Sequence, residues 1–318
     1  MKPIRKNASI LDRCIHRIAR SIVALFERLP WRTSRSVAAC LGRVWWMSGC
    51  GGRKERGLRN IRRAFPRLSH AQARRVMRTS CRSVLMAIAD TLQFRRRMLE
   101  GQWREIINVN GLDRLESAHR QSGVIFVSAH SGCWEVMGLV LPSLGFPILS
   151  VARAVPHPIL NEYLRHLRQT GGQKIIDKHG ALRRIVGELR EGRNVAFLID
   201  QDARRDGVFV DFMGRPSSFH TSVARLSMKT ESPVVFVHIR SVGNPPTFRI
   251  EVSDIVWPRR EADAEAEIYR ITQRLADYAE KVIREHPEEW LWTQKLWKTY
   301  PGKFSEGKAP MPGVLKRQ

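Results

Sequence analysis

The most informative run of residues lies in the first half of the chain and reads Val124-Ile-Phe-Val-Ser-Ala-His-Ser-Gly-Cys-Trp-Glu135. Its first four residues are apolar and three of them are β-branched, which predicts a buried strand over residues 124–128. Gly132 permits the sharp bend that takes a strand into a following helix. We therefore expect His130 at the strand end or in the loop, and Glu135 in the first turn of the helix.

His130 and Glu135 pair a base with a carboxylate, which is the combination that acyl-transfer chemistry needs. A neutral imidazole accepts a proton from an attacking hydroxyl when its other ring nitrogen is held, and a nearby carboxylate both holds it and stabilises the imidazolium. On one continuous helix the two side chains would lie about 140° apart, so they meet only across a bend. The alternative is an ordinary core or surface histidine that has an acidic neighbour by chance.

Strand-like runs alternate with helical stretches through the rest of the chain. The further predicted strands are residues 194–199, 233–240 and 248–255, and the predicted helices lie near 158–170, 180–191, 219–230 and 268–282. Two more helices are expected within residues 55–93, with Ser69 as an N-cap. This alternation predicts an α/β fold with a central mixed sheet flanked by helices, and an active site at the strand ends.

Composition indicates a folded protein with a strongly basic N-terminal third. The chain has 318 residues, 43% of them hydrophobic, and a formal net charge of +25. Residues 1–100 contain 24 Lys/Arg and 5 Asp/Glu. Such a surface suits nucleic acid, anionic phospholipid or an acidic carrier protein, while a solvated basic face is the alternative. Apolar residues interleaved with the charges favour a membrane.

The N-terminal segments have the pattern of interfacial helices. Residues 10–30 repeat apolar side chains at helical spacing with arginines between them, and Arg43 interrupts a second such segment at 36–50. Neither offers the roughly 18 uncharged apolar residues of a membrane span, and a signal-peptide pattern is missing. We predict a basic amphipathic membrane-associating region at 1–50, the main domain at 51–300 and a flexible tail at 301–318.

The sequence lacks the motifs of several common classes of enzyme, metal site and nucleic-acid-binding protein. The five cysteines form no CxxC pair and no His/Cys cluster with zinc spacing, so we expect reduced thiols, a cytosolic location and no metal. There is no GxSxG, P-loop, HExxH or GxGxxG motif, and we predict no cofactor. Helix-turn-helix, zinc-finger and RNP signatures are also missing, which disfavours nucleic acid as a partner.

A second group of candidate residues follows the predicted strand at 194–199. Asp200 and Asp202 come directly after it, where the sites of α/β proteins usually lie, although polar residues also simply terminate strands. Arg153, Arg165 and Arg168 lie on or near one predicted helix. Guanidinium groups match phosphate oxygens in bidentate fashion, so these arginines are candidates for holding a phosphorylated acceptor, with solvated surface arginines as the alternative.

Taken together, these blocks resemble the late acyltransferases of lipid A biosynthesis, the lauroyl and myristoyl transferase type within the lysophospholipid acyltransferase superfamily. The resemblance covers roughly residues 20–300. The sequence blocks that carry it are Asn60-Ile-Arg-Arg-Ala-Phe-Pro-Arg-Leu-Ser69, His130 to Glu135, Arg153 with Pro158 before a helix ending at Arg168, Asp200-Gln-Asp202, Gly207-Val-Phe-Val210 with Phe212 and Gly214, and His286-Pro-Glu-Glu-Trp290 with Trp292.

The resemblance implies a monotopic acyltransferase at the cytoplasmic face of the inner membrane, with His130 as general base and Glu135 as its orienting carboxylate. Arg168 and Asp200 fall where that family keeps further activity-critical residues, and we predict them, with Arg153, as substrate-binding. The implied donor is an acyl-carrier-protein or acyl-CoA thioester. The implied acceptor is a hydroxyl of a lipid A precursor in an anionic membrane.

Two departures from the family pattern leave the acceptor open. Cys133 stands where the family usually has asparagine, and Gln294-Lys-Leu-Trp297 replaces an ending of the His-Arg-Arg-Trp type. A lysophospholipid, a glycosylated phosphatidylinositol or an amino lipid is the alternative acceptor. A non-catalytic basic protein that binds membrane or nucleic acid is the alternative of a different class.

Overall fold

The computed structural model describes residues 10–151, 158–176 and 180–300, without the side chains of residues 10–16, 19 and 158–160. The helices of these ranges are α1 Ile10–Arg28, α2 Trp31–Met47, α3 Lys54–Ala64, α4 His70–Leu99, α5 Leu112–Gln121, α6 Trp134–Ser143, α7 Pro158–Gln169, α8 Ala181–Arg190, α9 Ser222–Thr230 and α10 Ala264–Glu285. The strands are β1 Ile107–Asn110, β2 Ile125–Ser128, β3 Ile148–Val151, β4 Lys174–Ile176, β5 Asn194–Leu198, β6 Gly207–Phe212, β7 Arg215–His220, β8 Val234–Gly243 and β9 Pro246–Val252.

Seven of these strands form one mixed sheet in the order β1-β9-β8-β2-β5-β3-β4, and β6 and β7 form a separate antiparallel hairpin. Strand β2 lies in the middle and pairs in parallel with both β5 and β8, while β8 and β9 are antiparallel. A parallel strand at the centre of a sheet is covered on both faces, which explains why residues 124–127 are all apolar rather than alternating with polar residues. The predicted central mixed sheet flanked by helices is confirmed.

The two faces of the sheet carry separate apolar cores. Ile125 and Val127 of β2 pack into the core that contains α8, α9 and α10, whereas Phe126 packs into the core that contains α6. This alternation is the two-residue period of a strand, in which successive side chains point to opposite faces. The central strand is therefore held from both sides, and the loop that follows it begins from a rigid support.

Most of the predicted strands and helices are confirmed. Strands β2, β5, β8 and β9 and helices α7 to α10 lie where the sequence pattern predicts them. Ser69 caps α4 as predicted. Its hydroxyl accepts from the Gln72 backbone N–H at 3.2 Å, and the Gln72 side-chain oxygen accepts from the Ser69 backbone N–H at 2.8 Å. The sequence analysis did not predict β1, β3 and β4, which have three or four residues each, or the hairpin strands β6 and β7, which have six each.

The N-terminal helices pack on the rest of the protein. Trp31 of α2 donates its indole N–H to the buried Asp90 of α4 at 2.8 Å, and Arg35 donates to the Gly243 carbonyl at the end of β8 at 2.9 Å. Among the helices that the structure describes, none is both long and apolar enough to cross a bilayer. The predicted tail at 301–318 lies outside the described residues.

Candidate active site

The candidate site lies where β2 and β5 end. The two strands are parallel neighbours in which Ser128 pairs with Leu198, so the residues that follow them emerge side by side at one edge of the sheet. The Ile199 N–H continues the pairing by donating to the Ser128 carbonyl at 3.0 Å. His130 and Asp200 each stand two residues beyond that last pair. The parallel register thus brings together two side chains that are 70 residues apart in sequence.

Asp200 makes three hydrogen bonds, two with His130 and one with Trp290. One carboxylate oxygen lies 2.7 Å from Nδ1 of His130, and the other accepts from the His130 backbone N–H at 2.9 Å and from the indole N–H of Trp290 at 2.8 Å. Because an ionised carboxylate only accepts hydrogen bonds, Nδ1 of the neutral imidazole carries the proton and Nε2 keeps its lone pair. His130 is thereby oriented as a base.

Glu135 does not make the contact predicted for it. It lies in the first turn of α6, as expected, but both of its oxygens accept from Arg168, at 2.8 Å from Nε and 2.6 Å from Nη2. A guanidinium fork matches a carboxylate in this bidentate way, and the neighbouring strand brings Asp200 directly to Nδ1 of His130. The predicted contact of His130 with Glu135 is therefore replaced by a contact with Asp200. Asp200, predicted to bind substrate, has a fully buried side chain whose carboxylate contacts His130 and Trp290. Its role in substrate binding stays a prediction.

Burial and the charge of the partner have opposite effects on the pKa values of both His130 and Asp200. Burial by itself lowers the pKa of the imidazole, but the charge and hydrogen bond of Asp200 outweigh it, so the pKa of His130 lies above the ordinary 6.5. Burial likewise raises the pKa of Asp200, and the neighbouring imidazole brings that pKa below its ordinary 3.8. Glu135 raises the pKa of His130 further, and Arg168 lowers it. The Glu135–Arg168 pair is thus close enough to His130 to tune its charge.

The predicted arginines have different surroundings. Arg168 lies in the last turn of α7, as predicted, and its hydrogen bonds to Glu135 raise the pKa of its guanidinium. Arg165 is exposed on the same helix. Arg153 lies outside the described residues.

The segment that follows α10 supports the site from behind, and sequence reasoning did not assign it a role. Trp290 is completely buried and forms a bridge with Ser131, while the Leu291 N–H donates to the His130 carbonyl at 3.0 Å. The Trp290 carbonyl in turn accepts from Ser80 of α4 at 2.6 Å. The signal was the block from His286 to Trp290, which the family resemblance includes without a function. Its tryptophan is a positioning residue for Asp200.

Cys133 and the acidic group at 286–289 offer little chemistry. The Cys133 side chain is buried, and burial raises the pKa of its thiol well above the usual range, so it is a neutral packed residue. His286, Glu288 and Glu289 bring their ligand atoms within 4.8 Å of one another, the one such group among the described residues. Both oxygens of Glu289 accept from the Arg240 guanidinium at 2.9 to 3.1 Å, so that carboxylate is already paired with a positively charged side chain.

A histidine held by a buried carboxylate at the strand ends of an α/β sheet has the geometry that a general base requires. The chain belongs to the bacterial lipid A biosynthesis acyltransferase family, whose model matches residues 1–299. It is 29% identical to the lipid A biosynthesis palmitoleoyltransferase of Escherichia coli over 257 residues, 76% of this chain and 78% of that protein. It is 23% identical to the E. coli myristoyltransferase over 265 residues, 83% of this chain and 80% of that protein.

A second group of relatives has a different named acceptor. The chain is 27% identical to the phosphatidylinositol mannoside acyltransferase of Mycobacterium tuberculosis over 194 residues. The match covers 59% of this chain and 59% of the mannoside acyltransferase. The chain thus spans about three fifths of the length of that relative.

Proposed function

We propose that the protein is a membrane-associated acyltransferase that moves a fatty acyl chain from a thioester donor to a hydroxyl of a lipid acceptor. The observation that carries this proposal is the 2.7 Å contact between His130 and the buried Asp200 at the end of the central strands. Family membership adds the class of reaction. Glu135 and Arg168 complete the site as a charged pair beside the base.

The proposed reaction needs no covalent acyl-enzyme. The acceptor hydroxyl oxygen attacks the thioester carbonyl carbon while Nε2 of His130 takes the hydroxyl proton. The tetrahedral intermediate collapses, the carbon–sulfur bond breaks, and the imidazolium returns its proton to the leaving thiolate, which yields an ester and a free thiol. Asp200 stabilises the imidazolium between these steps. General-base catalysis of this kind contributes about 10²- to 10⁴-fold, so positioning and stabilisation of the oxyanion supply the rest.

We infer that the acceptor is a lipid A precursor, because the family match spans residues 1–299 and the lipid A relatives align over more of the chain than the mannoside acyltransferases do. A glycosylated phosphatidylinositol is the second candidate, favoured by those mannoside relatives. The departure at Cys133 does not separate the two, because the side chain is buried. Arg168 is the proposed contact for an anion on either acceptor. Its Nε and Nη2 groups donate to Glu135, so its Nη1 group is the proposed donor to that anion.

Purified protein offered both donors and a panel of acceptors tests the proposed function. Acyl-carrier-protein and acyl-CoA thioesters are each combined with a lipid A precursor, a glycosylated phosphatidylinositol or a lysophospholipid, and the products are read by mass spectrometry. We expect acylation of the lipid A precursor that is lost in folded His130→Ala protein. Acylation of another lipid alone would overturn the acceptor, and no transfer to any lipid would overturn the enzyme proposal.

We further propose that α1 and α2 lie in the cytoplasmic surface of the inner membrane, where the thioester donors are available. Their outer faces expose large apolar side chains among arginines, with Met47 79%, Ile18 60% and Val44 56% exposed. Such a face inserts shallowly at the boundary of headgroups and acyl chains, and each arginine adds attraction to anionic lipid. This arrangement would hold the protein in the plane of its acceptor.

Replacing Leu41, Val44 and Met47 together with serine is expected to weaken binding to vesicles of anionic phospholipid by roughly tenfold or more, because the buried apolar area is lost. Vesicle co-sedimentation measures the change. The matched control replaces Leu99 and Leu182, which are 63% and 61% exposed on other helices. Equal binding by the two variants and the wild type would contradict the proposed orientation.

A further inference from the structure

Two cysteines that are distant in sequence lie side by side where α2 passes into α3. The Sγ atoms of Cys50 and Cys81 are 3.3 Å apart, and both side chains are buried in the core that contains α8, α9 and α10. Both thiols are free. Since the sulfur–sulfur bond of a disulfide is about 2.05 Å long, the two sulfur atoms need to approach by about 1.2 Å to be joined.

The turn that carries Cys50 can supply this movement. It spans Gly49–Gly52, and all four of its residues have left-handed backbone angles, with φ between +54° and +75°. A Cβ added at any of its three glycines would meet no atom of the described chain within 4 Å, so there is open space around the turn. Cys50 is strained in this conformation, because its own side chain disfavours a positive φ. The turn therefore has both the room and the freedom to carry Cys50 toward α4.

Cys81 is held more firmly than Cys50. It lies inside the 30-residue helix α4, and a Cβ added at Gly42 of α2 would lie 2.9 Å from its carbonyl oxygen, so the two helix backbones are in close contact there. Its neighbour Ser80 donates to the Trp290 carbonyl at 2.6 Å. Closing the gap between the sulfur atoms therefore moves the turn rather than the helix, and Ser80 keeps its contact with Trp290.

The surroundings of the two thiols determine the order in which they react. Burial and the neighbouring Cys50 raise the pKa of the Cys81 thiol well above its usual range, while the charge of Lys54 acts in the opposite direction. Cys81 is thus a neutral thiol inside the folded protein and reacts poorly by itself. Cys50 is followed directly by the exposed residues 51–53, so opening of the turn brings Cys50 to solvent first.

We propose that Cys50 and Cys81 are a peroxide-sensitive thiol pair that closes to a disulfide and then ties the end of α2 to α4. The Cys50 thiolate attacks one oxygen of hydrogen peroxide, the oxygen–oxygen bond breaks, and protonation of the leaving hydroxide gives a sulfenic acid and one water. The Cys81 sulfur then attacks the sulfenic sulfur, the sulfur–oxygen bond breaks, and the departing hydroxide leaves as a second water with the Cys81 proton. Two electrons pass from the two thiols to one peroxide, and a dithiol reverses the reaction by exchange.

The disulfide would stabilise the protein without inhibiting it. The two cysteines are 31 residues apart, and a cross-link over that span restricts the unfolded chain. It would also fix the end of α2, whose outer face exposes Val44 and Met47, on the helix that supports Trp290. His130 and Asp200 do not move, so we expect kcat to stay within about twofold. This inference does not depend on the proposed acyltransferase function.

Treatment of the full-length protein with hydrogen peroxide tests the pair. After the free thiols are blocked, peptide mapping by mass spectrometry should find a Cys50–Cys81 linked peptide that dithiothreitol removes. The melting temperature of the oxidised protein should rise by roughly 5 °C over the untreated protein. Cys50→Ala and Cys81→Ala, each compared with its own untreated form, should show neither effect. The matched control is Cys40→Ala, an exposed cysteine on α2, which should keep both.

The wild type alone is sufficient to overturn the proposal, so the test does not depend on the folding of a variant. Complete oxidation of the exposed Cys40 with Cys50 and Cys81 still available for alkylation after unfolding would show that the pair does not sense peroxide. A disulfide that joins Cys50 to a different cysteine would contradict the pairing. A Cys50–Cys81 disulfide that leaves the melting temperature unchanged or lowers it would contradict the tether.

Discussion

Asp200→Asn protein is expected to fold and to lose about 10³- to 10⁴-fold in kcat, because the amide no longer enforces the tautomer that leaves Nε2 of His130 free to accept a proton. It also no longer stabilises the imidazolium. Steady-state turnover with circular dichroism as the fold control measures the effect. Asp202→Asn is the matched control, since Asp202 lies two residues further on and accepts from Thr299 at 2.9 Å rather than from His130.

The same substitution has a defined effect on the pH profile. The neutral imidazole is the active form and Asp200 raises its pKa, so the acid limb of kcat/KM in the wild type should lie above pH 6.5. Removing the carboxylate lowers the pKa of His130, so in Asp200→Asn protein the limb moves to lower pH while the plateau falls. Glu135→Gln should shift the limb in the same direction by less. A near-normal rate for Asp200→Asn together with an inactive Glu135→Gln protein would instead restore Glu135 as the orienting carboxylate.

Gly132→Ala is expected to destabilise the protein by about 3–5 kcal/mol and to abolish transfer, which places it among the most damaging single substitutions. The backbone of Gly132 has φ +62°, and an added Cβ would lie 2.1 Å from the carbonyl oxygen of Ile239. Relieving that clash displaces the loop from β8, where the Cys133 N–H donates to the same carbonyl at 2.9 Å. His130 is carried by this loop and moves with it.

A second glycine separates the clash from the backbone strain. Gly145 has φ +96° with open space around the added Cβ, so Gly145→Ala should cost only about 1–2 kcal/mol and leave kcat unchanged. Thermal unfolding and turnover of the two variants are compared side by side. A melting temperature and rate for Gly132→Ala that match those of Gly145→Ala would show that the loop is not constrained in this way.

Sequence patterns were sufficient for the elements whose character is local. Residues 124–127 are all apolar because β2 is covered on both faces, so its strand and the following bend could be predicted. Ser69 could be predicted as a cap because its capping box closes within four residues. His130 and Glu135 were placed correctly at the strand end and the first helical turn for the same reason.

The partners of His130 were decided by the tertiary structure alone. Glu135 is the acidic residue nearest to His130 in the sequence, which is why the sequence predicts it as the orienting carboxylate. The strand order of the sheet instead places β5 beside β2, so Asp200 contacts Nδ1 of His130. Strands β3 and β4 come between β2 and β5 in sequence yet lie beyond β5 in the sheet. Strand order depends on which face of the sheet each helix covers, and the spacing of neighbouring residues in the sequence does not specify this. Sequence alone therefore determined the strand end that carries His130, the proposed base, whereas the long-range hydrogen bonds that His130 and Trp290 make with Asp200 exist only once the sheet is assembled.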